Sequence, residues 1–335
     1  MPTLKYASID DFLGPRETRF LGEGFKRVEH SLSDLTVTPG DEGAGGIEAT
    51  AHIAVPGLWS RKGDQQPKPH LSTIDAMLFA ARLTGLYAAH TTGLTPDAWF
   101  TVQSVDLRAG SSPDEDDLAR FPVSGRLVAA DRSGQAWSTT LDCRIGSLTA
   151  RVCARHSAGR TPATRGRAHH LAGDLPGPWN DAPFGLPHGA RHQLLTAVGV
   201  TVNSADDVHA SARAELTPVR AKAVPEGTPA TMIDAFVAVL QLGQVLLYAL
   251  DGIDRAASNN LWMRRTRVTA GPTPTRPTDV VTASLRQTRL LPSPTGVWRT
   301  AEVVGSLHGV QARAAVAHLL PETSPSVNPP EGGGR

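Results

Sequence analysis

The chain has 335 residues, 40% of them hydrophobic and 19% charged, with 33 Lys and Arg against 32 Asp and Glu. That is enough apolar material for a sizeable core, and a charge this balanced gives no electrostatic case for nucleic acid or an anionic membrane as partner. Two cysteines cannot build a disulfide scaffold.

In chain order, residues 1–8 lack the apolar run of a secretory signal, so the cytoplasm is the expected location. Two strand-like stretches follow, 25–38 and 46–55, joined by the glycine-rich turn 39–45. A long helix then opens at Ile74-Asp75-Ala76 and runs to Tyr87, apolar nearly all round and so buried on most faces. Four more strand-like stretches come after it, 99–108, 121–131, 135–145 and 148–156. Residues 158–188, rich in Gly, Pro, Arg and His, read as a linker crossing the surface.

The same order then recurs. Stretches 191–203 and 208–216 precede a helix opening at Ile233-Asp234-Ala235 and running to Tyr248. Stretches 260–269, 279–291, 296–306 and 310–319 follow it. The run 235–250 is the most apolar of the chain, but it is short for a membrane span and carries Gln241 and Gln244; it reads as a core helix. Residues 321–335, with four prolines and three glycines, read as a disordered tail.

Each half is therefore β-β-α-β-β-β-β. One long buried helix inside a run of antiparallel strands is the hotdog pattern. The expected class is α+β, a tandem (double) hotdog in which each half curls an antiparallel sheet around one buried helix. The N-terminal domain is expected over 1–157, the linker over 158–188 and the C-terminal domain over 189–320. The two domains would pack as a pseudo-dimer, in a monomer or a homodimer. Two unrelated α+β domains are the alternative, which the repeated order disfavours.

Candidate chemistry centres on the helix starts. Asp75 and Asp234 each fit a capping box, Ser72-x-x-Asp75 and Thr231-x-x-Asp234, and a carboxylate there also suits the positive end of the helix dipole. The functional reading is an acid or base meeting a carbonyl held by helix amides. Seven residues on, Arg82 and Gln241 put a polar side chain on the same helix face, for a structural bond or a ligand. His70, whose counterpart is Pro229, is a candidate general base or a surface loop histidine. Arg265 and Arg267 fall on one face of a strand, either solvated or facing phosphate. His188 and His192 lack the context of a zinc site, Cys143 and Cys153 read as buried thiols, and no cofactor motif stands in its expected setting.

The segment Tyr6-Ala7-Ser8-Ile9-Asp10-Asp11-Phe12-Leu13-Gly14-Pro15-Arg16 through Gly22-Glu23-Gly24-Phe25-Lys26-Arg27-Val28-Glu29 resembles the opening of the avirulence protein D (AvrD) family. The length and two-half arrangement are similar over nearly the whole chain. Members are associated with syringolides, lactones assembled from a β-ketoacyl chain and a pentulose. The chemistry resembles that of A-factor-type butyrolactone synthases, which join a β-ketoacyl thioester to a triose hydroxyl. Met232-Ile233-Asp234-Ala235 also resembles the second half of polyketide dehydratases, whose Asp is catalytic; here Pro229 stands where that family has His.

The resemblance implies an acyltransferase joining a β-ketoacyl thioester, on carrier protein or CoA, to a small sugar or triose, giving a syringolide- or butyrolactone-like product. Asp234, Asp75 and His70 would be catalytic; Arg82, Gln241, Arg265 and Arg267 would bind substrate; no metal or cofactor is implied. A dehydratase or isomerase acting on the thioester alone, and a non-catalytic acyl-binding module, are the alternatives.

Overall fold

The computed structural model describes residues 3–110, 112–159, 166–220, 224–258, 261–272 and 278–321. A short strand β1 (Leu4–Ser8) and a one-turn helix α1 (Asp10–Leu13) precede the first repeat. That repeat holds β2 (Glu29–Thr38), β3 (Gly46–Ala54), the long helix α2 (Thr73–Thr92), β4 (Phe100–Arg108), β5 (Phe121–Ser133), β6 (Ala136–Ile145) and β7 (Leu148–Ser157). A connecting segment carries β8 (Ala168–His170) and α3 (Pro178–Asp181). The second repeat holds β9 (Arg191–Ser204), β10 (Asp207–Pro218), the long helix α4 (Met232–Asp251), β11 (Trp262–Ala270), β12 (Val280–Ser293), β13 (Gly296–Leu307) and β14 (Val310–Leu319).

All the strands lie in one antiparallel sheet, ordered β1-β9-β10-β12-β13-β14-β11-β4-β7-β6-β5-β3-β2-β8. Read outward from the centre, β4-β7-β6-β5-β3-β2 and β11-β14-β13-β12-β10-β9 are the same order, so the sequence repeat is a structural one. The two halves join through five register pairs between β4 and β11, from Arg265↔Arg108 to Thr269↔Ser104. Strands alternate buried and exposed, as in β10 and β14, so one face is packed and the other wet.

Each long helix lies against all six strands of its own half, α2 on β2–β7 and α4 on β9–β14. Six strands about 4.8 Å apart span roughly 24 Å, twice the width of a helix, so contact with every one requires the sheet to curl around it. This explains why α2 is buried at every position from Thr73 to Ala89 except Arg82. α4 is likewise buried from Met232 to Tyr248 except at Gln244, and although long and apolar enough to cross a membrane, it is packed inside the sheet. Both helices end on a glycine in the left-handed region, Gly93 (φ 66°) and Gly252 (φ 62°), where a Cβ would be strained.

Three departures from the sequence expectations concern the margins. Residues 25–27, expected to begin a strand, lie instead in a 3-10 turn over Gly24–Arg27. β1 belongs to the second half, pairing with β9 from Leu4↔Val200 to Ser8↔Thr196. The described part of the expected linker is built into the molecule: β8 extends the sheet beside β2, and Trp179 on α3 is fully buried against Gly85 of α2. The expected tail lies outside the described residues beyond Pro321.

Candidate functional site

The two helix starts look alike in sequence and differ in chemistry. At α2, Ser72 and Asp75 form the capping box, the Ser72 amide donating to Asp75 Oδ2 at 2.8 Å and the Asp75 amide to Ser72 Oγ at 3.2 Å. The other oxygen, Asp75 Oδ1, lies 2.7 Å from Nε2 of His30 on β2. At α4, Thr231 and Asp234 form the matching box, and Asp234 Oδ1 accepts from Gln193 Nε2 on β9 at 2.7 Å. Its Oδ2 accepts from the Thr231 amide and hydroxyl, both at 2.9 Å, and from Arg191 at 3.4 Å. Three of these four donors meet Oδ2 and one meets Oδ1, so the carboxylate is held from both sides.

His30 is packed edge-on against Phe79 and against His188, whose ring centroid lies 5.0 Å away. Burial, with the neighbouring His30, pushes the His188 imidazole down to about 4, and its Nε2 lies 3.2 Å from the Val28 carbonyl. His192, its expected companion, lies instead 2.8 Å from Glu23. Among the described residues no group of histidine, cysteine and carboxylate side chains is placed to hold a metal. Burial drives the Cys143 thiol up to about 12, so it is no thiolate nucleophile.

The other sequence candidates scatter. Arg82 reaches Asn180 on α3 at 2.8 Å and the His30 carbonyl at 3.3 Å, so it ties the connecting segment to β2. Gln241 accepts from Arg19 at 2.9 Å inside the protein. Arg265 clamps Asp106 with two bonds, at 3.1 and 2.7 Å, across the β4–β11 join on the outer sheet face. Arg267 lies beside it in a shallow outer groove with Glu302 and Arg313.

His70 is in a different setting. It lines a cavity of about 190 Å³ where the two halves meet, with walls from Trp59 and Phe20 on one side and Trp262 and Met263 on the other. That volume holds about six water molecules' worth of ligand. The cavity reaches Ser72 and Thr73, so it abuts the N-terminus of α2. The His70 ring packs edge-on against Trp59, with centroids 4.5 Å apart, and burial lowers its proton affinity so that it stays neutral. Nδ1 lies 3.4 Å from the Lys68 carbonyl. A carbonyl only accepts, so Nδ1 carries the ring's proton and Nε2 keeps a lone pair. The first-turn amides of Thr73 and Ile74 have no carbonyl to bond within their own helix.

Sequence reasoning missed His30, Gln193 and the cavity's cations. The signal for the first two lay in the repeat itself: aligning the first strands of the halves sets His30 beside Gln193.

No curated protein matches the chain. Solved structures similar to it include the tesB protein of Mycobacterium avium subspecies paratuberculosis, 11% identical over 81% of this chain and 92% of that one, at a TM-score of 0.36. An acyl-ACP thioesterase from Bacteroides thetaiotaomicron is 10% identical over 88% and 99%, at 0.34. The dehydratase domain of the CurJ module of curacin polyketide synthase is 11% identical over 87% and 97%, also at 0.34. A family model described as Pseudomonas avirulence D protein matches residues 4–321, and the chain belongs to that AvrD family.

Proposed function

We propose that the protein is a cytoplasmic acyl-thioester enzyme that joins a β-ketoacyl group to a hydroxyl of a small sugar or triose. The two halves are then tandem hotdog domains, over 1–157 and 189–320, with the catalytic cavity at their junction. The observation that carries the reading is His70, an imidazole whose proton affinity burial lowers, in a small cavity at the start of a buried helix. The cavity suits a small acceptor, and the family and the fold suit a thioester donor.

His70 Nε2 takes the acceptor hydroxyl proton as the oxygen attacks the thioester carbonyl carbon. The oxyanion that forms meets the Thr73 amide at the cavity wall, backed by the helix dipole. The C–S bond then breaks, and the sulfur leaves with the proton from His70. Attack of the β-keto ester's activated carbon on the acceptor carbonyl, with loss of water, would close a lactone-type ring. Asp234 has no part in this chemistry, and Asp75 only positions His30 and caps α2.

The test is mass spectrometry of purified protein incubated with a β-ketoacyl thioester, with and without xylulose or dihydroxyacetone phosphate. An acyl ester or its cyclised product that needs the acceptor, and is lost in His70→Gln, is expected. Loss of water without an acceptor would make it a dehydratase, and an unchanged thioester that co-purifies would make it a binding module.

A further inference from the structure

Three cations line the His70 cavity: Arg19, Lys62 and Arg255. They come from separate parts of the chain: Arg19 from the segment after α1, Lys62 from the loop before α2, and Arg255 from the turn after α4. Arg19 is 3% exposed. Its guanidinium bonds Gln241 through Nη1 and Asp10 through Nη2, while Nε is buried without a partner. Lys62 Nζ lies 3.4 Å from the hydroxyl and 3.5 Å from the carbonyl of Ser258. Arg255 is partly buried and makes no side-chain ion pair among the described residues.

The three charges feel one another. Burial above all, with Arg255 nearby, pushes Lys62 down to about 8 and contributes to Arg19 falling to about 10. Collecting like charges in a half-buried site costs stability unless an anion offsets them. Two carboxylates stand near them. Asp10 holds Arg19, and Asp114 accepts the Ser147 amide at 2.7 Å. The aromatic walls are weakly polar, which strengthens any charge contact beside them.

We propose that Arg19, Lys62 and Arg255 form a binding site for a phosphate ester in the cavity that His70 lines. The three cations outnumber the carboxylates Asp10 and Asp114, which favours an anion, and guanidinium groups suit phosphate oxygens. The phosphate belongs either to a phosphorylated acceptor, a monoester with two charges, or to the pantetheine arm of the thioester, a diester with one charge while on its carrier protein. This deepens the reading above, because it sets the reacting groups beside His70.

The test is calorimetric titration of the full-length protein with dihydroxyacetone phosphate and, separately, with 4′-phosphopantetheine. Dihydroxyacetone and pantetheine serve as controls, and the variants are Arg255→Gln and Lys62→Gln. Saturable binding that needs the phosphate and weakens at least tenfold in each variant is expected, and whichever phosphate ester binds identifies the source. Affinity in the parent protein should also fall between pH 7 and 9, as Lys62 loses its proton, and this fall should vanish in Lys62→Gln. Circular dichroism melts check that the variants fold. No saturable binding of either ester at millimolar concentration, or equal binding by folded variants, would overturn the site. His70→Gln keeps the binding and loses turnover, so failure of the phosphate site and failure of the acyltransferase reading are told apart.

Discussion

His30 on β2 and Asp75 on α2 are joined at 2.7 Å with both side chains almost wholly buried, and Gln193 and Asp234 repeat the contact at the same distance in the other half. A glutamine therefore already does in one half what the histidine does in the other. His30→Gln should keep stability within about 1 kcal/mol. His30→Ala, which leaves the Asp75 oxygen without its partner, should cost about 1–3 kcal/mol. Urea denaturation measures both. A folded His30→Gln protein without turnover would move the role of base from His70 to His30.

Asp234→Asn tests the opposite point. The amide nitrogen would face Gln193, which must turn its own amide to accept it, and Arg191 would lose its carboxylate while 3% exposed. Breaking a buried pair of this kind costs about 3–5 kcal/mol. The expected result is a markedly lower melting temperature with turnover per folded molecule retained. Full stability with lost turnover would return Asp234 to the catalytic set.

His188 should make stability depend on pH. Its folded value of about 4 lies below the ordinary 6.5, so between these values the unfolded chain binds the extra proton. The stability of keeping His188 neutral is complete above pH 6.5 and is lost as pH falls toward 4, by up to about 3 kcal/mol. His188→Asn should flatten this part of the curve in denaturant midpoints measured from pH 7 to pH 4.5. An unchanged slope would show that another group carries it.

Trp179 and Gly85 test whether the connecting segment is structural. A Cβ at Gly85 would run into the Trp179 side chain, so Gly85→Ala should cost about 1–3 kcal/mol by overpacking. Trp179→Ala should cost about 3–5 kcal/mol through the cavity it leaves. The double variant should be less destabilised than the sum, because the new methyl then has room. Additive losses by thermal melting would mean that the two do not share a contact.

The helices and most strands were legible because their burial is local in pattern. A helix buried all round reads as an unbroken apolar run, and a half-buried strand reads as alternation. The margins were not. β1 has only five residues, and its ladder partner lies in another half of the chain. The candidate site divided the same way. The capping boxes are contiguous and could be read directly, whereas the partners that separate Asp75 from Asp234 arrive from β2 and β9. The cations of the cavity come from three loops with no shared spacing, so no motif announces them.

The pairing of β1 with β9 has a consequence during synthesis. Leu4 leaves the ribosome 196 residues ahead of its partner Val200. At 5–20 residues per second, that interval is roughly 10–40 s. The first repeat can curl around α2 in this time, while the opening segment waits with its strand unpaired. Arg19 waits longer still, since Gln241 and Arg255 follow β9. The cavity between the halves is therefore among the last parts of the molecule to form, and the opening of the chain is the piece that closes it.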